Sequence, residues 1–287
     1  MNKNRFFNKY LPSILKHTFL VLLMLVIVFP IIYTILCSFK SNAEILAHPE
    51  TIIPMEPTLD NYKQAWNTNN FSVSKMLFNS IYYTLGMVII TLIMSAVAGY
   101  VFTRGNFPGK KAIFAVFTAL MFVSLGTITM YPYFEVLDFM HIDKSLSALL
   151  LIRCFGMPTA NVYLVKGFLE GIPKELDEAA KIDGCGFVGI FGRIIFPLLK
   201  PILATIAILT FQGSWNDYLS PLIFTMSKPE QRTLIVGIVQ LKSTGEAAAS
   251  WNLMLAGTTI ALIPVLIAYI FANRYFVEGI AAGAVKG

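Results

Sequence analysis

The chain of 287 residues is 56% hydrophobic and only 13% charged, with a mean hydropathy of +0.68. A soluble domain carries about a quarter of its residues as Asp, Glu, Lys or Arg, so these values exclude one and describe an integral membrane protein. The formal net charge of +6 then reads as basic loops held at an anionic leaflet, not as a nucleic-acid footprint.

Residues 1–16 carry Lys3, Arg5, Lys9 and Lys16 with no acid, as a short cytoplasmic N-terminus would. The apolar run from Thr18 to Phe39 is too long for a signal-peptide core and lacks a small-residue cleavage site, so it reads as a retained first span. Further spans are expected near 77–102, 111–134, 146–168, 201–225 and 253–273. That predicts an all-α polytopic protein with six transmembrane helices in a single domain over residues 17–273, each span reaching the ~20 residues that cross a bilayer. The segments 1–16, 103–111, 166–200 and 273–287 hold 14 Lys and Arg, against 7 in 40–76, 135–145 and 226–252. The basic side is cytoplasmic, which places both termini and the loop 169–200 inside.

The outer loop 40–76 is broken by Pro49, Pro54 and Pro57, with an amphipathic stretch expected near 59–66. Gly105-Asn106-Phe107-Pro108-Gly109-Lys110 fails as a phosphate loop, because only three residues separate the glycines and no Ser or Thr follows the lysine. Three scattered cysteines (Cys37, Cys154, Cys185) give neither a disulfide framework nor a metal site. His17, His48 and His141 lie apart, so no catalytic residues and no metal ligands are indicated.

Tyr82, Tyr83, Tyr131, Tyr133 and Trp215 fall at interfacial or outer depths, either as an aromatic belt or as surfaces for sugar rings. Arg153 sits inside the fourth span, where a guanidinium snorkels, pairs structurally, or serves the solute path or outer gate. The fifth span becomes polar at Thr210, Gln212, Ser214, Asn216 and Asp217, as a cavity lining or a subunit interface would. An Asp217–Arg153 pair is one arrangement open to these two groups. The apolar stretch Leu234–Val239 in the loop 226–252 is unusual for an exposed connection and suits packing on the membrane surface.

Between two spans lies a charged, helix-forming stretch. Pro173 suits a first helical position, Glu175, Asp177 and Glu178 follow, and Gly184 is a natural stop. The predicted helix is about ten residues, ~15 Å long. Leu176, Ala179 and Ala180 share one face at i, i+3, i+4 spacing, small enough to enter another protein's groove.

Glu178-Ala179-Ala180, three residues, Gly184, nine residues, Ile194, one residue, an apolar residue and Pro197 resembles the cytoplasmic-loop signature of importer-type ABC permeases. Phe196 stands where that family usually has Leu, and Cys185 where Ala is commoner. Trp215-Asn216-Asp217-Tyr218-x-x-Pro221-Leu222 resembles the family's outer fifth-span motif, and Gly283-Ala284-Val285-Lys286-Gly287 the tail of the maltose-type second permease.

The resemblance implies a type I importer permease fold with a cytoplasmic coupling helix, carbohydrate import, and location in the bacterial cytoplasmic membrane. The implied partners are a second permease, two ATPase subunits and an extracytoplasmic solute-binding protein. No cofactor is bound by this chain, with ATP and Mg on the ATPase subunits. By the same resemblance Glu178, Ala179, Ala180, Asp183, Gly184, Ile194 and Pro197 couple to the ATPase. Gly279, Gly283, Lys286 and Gly287, in the cytoplasmic tail 274–287, enter the ATPase interface. Arg153, Trp215, Asn216, Asp217 and Tyr131 belong to the solute path or gate, and the loop 226–252 reaches the docked binding protein. The competing expectations are a non-sugar solute such as a polyol or glycerophosphate compound, a stand-alone secondary transporter and a membrane-embedded enzyme.

Overall fold

A computed structural model describes the backbone of residues 3–66, 71–123, 126–243 and 250–284, and the side chains of 12–66, 71–123, 126, 128–241 and 250–271. Helices make up all of the regular structure among these residues. In chain order they are α1 (Lys3–Cys37), α2 (Asn42–Ala47), α3 (Asp60–Trp66), α4 (Val73–Arg104), α5 (Lys110–Leu120), α6 (Met130–Phe139), α7 (Leu146–Phe155) and α8 (Thr159–Glu170). After them come α9 (Glu175–Ile182), α10 (Phe187–Ile190), a π-helical turn (Phe191–Ile195), α11 (Phe196–Leu198), α12 (Lys200–Trp215), α13 (Leu219–Phe224), α14 (Leu234–Ser243) and α15 (Trp251–Ala284).

Three straight helical stretches are long and apolar enough to cross a membrane: Pro12–Cys37, Val73–Arg104 and Trp251–Phe271. Two bent pairs pass the same test taken together, Leu146–Phe155 with Thr159–Glu170 at 46°, and Phe187–Leu198 with Lys200–Trp215 at 73°. Among the described residues three helices therefore qualify by length and composition, or up to five with each bent pair counted as one span, against the six expected. Residues 111–134 do not form the continuous third span, because α5 ends after eleven residues and a 3₁₀ turn at Gly126–Thr129 precedes α6. The fourth span breaks at Gly156-Met157-Pro158, where proline supplies no N–H and restricts the residue before it. At the larger bend, Pro197 and Pro201 both interrupt the hydrogen-bond ladder, and the widened turn before Pro197 relieves its clash with the preceding carbonyl.

Two compact units share these helices, residues 1–73 with 238–262 and residues 74–237 with 263–287. In the first, α3 fulfils the amphipathic stretch expected at 59–66. The buried Asn61 amide donates to the carbonyls of Ser38 and Lys40, each at 2.8 Å, and Asn252 Nδ2 donates to Asn61 Oδ1 at 2.8 Å. Buried Lys40 is held by Thr51, through its carbonyl and, at 2.6 Å, its hydroxyl. These bonds satisfy polar groups that burial would otherwise penalise.

In the second unit α4 runs through two apolar clusters. Tyr83 and Met87 pack with Leu137, Leu146, Leu149, Leu150 and Phe224. Ala96 and Tyr100 pack with Val165, Leu169, Ala180, Ile190, Ile195 and Leu199. The opposite face of α4 shows Ile81, Leu85, Ile89, Ile93 and Val97 in an exposed i, i+4 row, as a surface toward lipid or another membrane helix would. Near its end α4 approaches α8 closely: a Cβ on Gly99 would stand 2.5 Å from Val165 Cγ1. The apolar stretch 234–239 is helical. It opens α14, with Leu234, Val236 and Ile238 buried, and the Leu234 amide donates to Ser80 Oγ at 2.8 Å. Asn79 Nδ2 adds bonds to the carbonyls of Glu230 (2.8 Å) and Arg232 (3.0 Å).

Gly99→Ala should destabilise the protein by about 1–3 kcal/mol, because Val165 is β-branched, buried and has no room to move. Thermal unfolding in detergent measures this, and adding Val165→Ala should recover most of the loss.

Candidate functional site: a half-exposed helix at the end of α4

The helix expected at 174–183 is α9, shorter at eight residues. It begins two residues after Pro173, with the Lys174 carbonyl accepting from the amides of Asp177 (2.9 Å) and Glu178 (3.1 Å). Its end is where the sequence put it. Gly184 has φ +81°, its amide donates to the Lys181 carbonyl at 3.0 Å, and the Cys185 amide donates to the Ala180 carbonyl at 2.9 Å. This pair of bonds is a Schellman cap, whose left-handed residue is nearly always glycine. Cys185 packs on the same cluster as Ala180, completing the apolar contact that accompanies such caps.

The faces of α9 differ from the expected grouping. Ala180 is buried in its own chain's core, whereas Leu176 and Ala179 are exposed. The inward face pairs Ala180 with Asp177, and the outward face carries Glu175, Glu178, Ala179 and Ile182. At 3.6 residues per turn Asp177 and Ala180 share one side, while Ala179 lies about 100° away from Ala180. Ile182 is 87% exposed, an apolar knob among acids that spacing alone did not single out.

Asp177 is 6% exposed, and its Oδ2 lies 2.8 Å from Nε of Arg104, the last residue of α4. The contact is one of charge without an aligned hydrogen bond, and neither carboxylate oxygen receives a donor. Arg104 Nη2 donates to the Ile172 carbonyl at 2.7 Å, so one guanidinium ties α4 to both the loop before α9 and α9 itself. One turn earlier, the ring of Tyr100 sits 4.5 Å from that of Phe187 and 5.1 Å from that of Phe191, and its hydroxyl donates to the Phe187 carbonyl at 3.3 Å. A concavity of about 140 Å³ remains between them, lined by Arg104, Lys174, Asp177, Glu178 and Lys181 on one part and by Tyr100, Phe187 and Ile190 on another. Nearby, burial and the charges of Lys166 and Lys174 hold the Lys110 ammonium below its ordinary value. Ile194 lies in the π-helical turn and Pro197 in α11, next to the 73° bend. The exposed Asp183 is the C-cap of α9.

The other candidates do not gather into one site. Arg153 occupies the last turn of α7 at the break in its span, exposed and without an ion pair among the described residues. Asp217 does not pair with it. Its Oδ2 accepts from the Tyr83 hydroxyl at 2.9 Å and its Oδ1 from the Ser220 amide at 3.2 Å, which caps α13. Trp215 is buried with its ring stacked on Phe211 at 5.7 Å, Asn216 lines an apolar groove of about 460 Å³ with Phe211 and Tyr269, and Tyr131 is exposed on α6. Gly279 and Gly283 belong to the continuing helix α15, while Lys286, Gly287 and residues 244–249 lie outside the described residues. Among the described residues no group of three His, Cys, Asp or Glu side chains converges.

A family model for the binding-protein-dependent transport system inner membrane component matches residues 97–281. The chain is 35% identical over 278 residues to AmyC of Thermoanaerobacterium thermosulfurigenes, described as a probable starch degradation products transport system permease protein, with 97% of each chain covered. It is 32% identical over 271 residues to AraQ, the arabinooligosaccharides transport system permease protein of Bacillus subtilis, covering 94% of each. The fold is similar to a chain of a bacterial ABC transporter involved in alginate import, with a TM-score of 0.78 at 23% identity over 94% of this chain and 98% of that one.

Gly184→Val should loosen the end of α9 at a cost of about 1–2 kcal/mol, and Gly184→Asn much less, since Asn tolerates the left-handed region. Amide exchange at Gly184 and Cys185 reads the difference directly.

Proposed function

This chain belongs to the family of binding-protein-dependent transport system inner membrane components, and from that membership we propose that it lines half of the path of an ATP-driven importer for sugars or oligosaccharides. The observation that carries the reading is α9. It is anchored to the second span at one face by a buried charge and a small residue, and presents Glu175, Glu178 and Ile182 outward on the other. A helix with that free face fits a groove with a basic residue opposite Glu178 and an apolar socket for Ile182. That groove belongs to ATPase subunits supplied in trans. Closure of the ATPase pair on ATP moves α9, and α9 moves the spans, opening them outward to receive solute. What drives the change is the difference in contact between the two states.

The excess of Lys and Arg on the α9 side supports a cytoplasmic position, in a bacterial cell, for that side and for both termini. A related permease completes the path, and an extracytoplasmic binding protein delivers the solute. The backbone of α15 stays helical to Ala284, which supports a tail that extends beyond the last span toward the ATPase pair. Relatives named for starch products and arabinooligosaccharides support a polyhydroxylated solute.

The test is reconstitution of this chain in vesicles with its partner permease, ATPase subunits and binding protein, with labelled saccharides as solute. Saccharide uptake should require ATP and all components, and Glu178→Lys should cut it by about tenfold or more while leaving the chain inserted. Uptake by this chain alone would overturn the reading, and stimulation only by a polyol or glycerophosphate compound would replace the sugar.

A further inference from the structure

Arg104 has no part in the loop motif, yet its side chain joins α4 to α9. We propose that Arg104 is a positioning residue for transport, and that its contact with Asp177 is the strut carrying α9 movement into α4. The inference rests on the reading of α9 as the ATPase-contacting helix.

Three observations converge on this contact. Both side chains are more than nine-tenths buried, at 7% and 9% exposure, so the pair is shielded from water that would weaken it. It is also the sole ion pair joining α9 to another helix among the described residues. The remaining inward contact of α9 is Ala180, whose single methyl has little area to pull with. A sideways or twisting load on α9 therefore reaches α4 through charge.

The geometry also suits a contact that is remade during a cycle. Asp177 has two buried oxygens with no hydrogen-bond donor, and Arg104 Nε lies close to one of them without alignment. A pair built only for permanence would be forked and aligned. Here the guanidinium keeps a second hold on the Ile172 carbonyl, so it stays seated on the loop while its contact with Asp177 is remade.

From Arg104 the load has a stiff route. Helix α4 is 32 residues, ~48 Å at 1.5 Å per residue. Along it lie the Tyr100 ring contacts, the Tyr83–Asp217 hydrogen bond and, near its start, the bonds of Asn79 and Ser80 to the segment that opens α14. One rod thus touches the α9 region, the end of α12 and the start of α14.

The experiment compares Arg104→Ala, Arg104→Lys, Asp177→Asn and the exchange Arg104→Asp with Asp177→Arg in the reconstituted complex. The readouts are ATPase-subunit retention on purification, solute-stimulated ATP hydrolysis and uptake. Arg104→Ala and Asp177→Asn should retain the ATPase subunits but lower uptake about five- to hundredfold, and ATP hydrolysis should lose its response to solute-loaded binding protein. Arg104→Lys should keep part of the uptake, and the exchange should restore more than either of its single changes. Wild-type uptake in Arg104→Ala would overturn the strut. So would a loss of ATPase retention that the exchange does not repair, since that marks a merely structural residue. If the unaltered complex never retains ATPase subunits, the importer reading falls instead.

Discussion

A buried charge at the end of the second span governs how the rest of this molecule is read. Helix α9 has one small side chain facing its own core, which is too little apolar area to fix a helix by burial. The Arg104–Asp177 contact supplies the missing hold. Because a buried carboxylate needs its counter-charge beside it, the contact fixes which face of α9 turns inward, and so which residues are left to meet something else. Ala180 goes in beside Asp177, while Glu178 and Ile182 stay out. A buried ion pair adds little to stability compared with a well-packed apolar contact, but it specifies one arrangement.

The breaks in the spans follow from the same economy of backbone hydrogen bonds. In hydrocarbon every backbone polar group needs an internal partner, so irregular chain survives only where protein or water supplies one. The break after α7 brings Arg153 to its edge, and the break after α12 is capped by Asp217, which also receives the Tyr83 hydroxyl. At the bend before α12, Leu199 keeps its amide bonded to Ile195 at 3.0 Å, so the chain turns by 73° with little loss. Arg153 and Asp217 thus lie at breaks, and Asp217 mends the ladder at its own. The two were open to pairing in the sequence, yet each lies at a different break.

Resemblance to transport permeases is strongest where local geometry demands particular residues. Gly184 is fixed by a positive φ, and Pro197 by the widened turn that precedes it. Both constraints act within a few residues, so they leave a readable spacing in the chain. Arg104 is set by something else, a partner brought near only when α4, α8 and α9 have packed together.

The sequence by itself determined the membrane class, the first, second and last spans, the helix that ends at Gly184, the amphipathic turn at 59–66 and the family resemblance. Each depends on composition, on an apolar run of sufficient length, or on bonds closed within one turn. Tertiary structure alone decided the inward face of α9, the partner of Asp217, the burial of Leu234 and Val236, and the end of α5 at Leu120. Those outcomes depend on which surfaces meet across distant stretches of chain. A hydrophobic pattern records that a residue is apolar, but the choice among protein, lipid and partner as its neighbour is made only by packing.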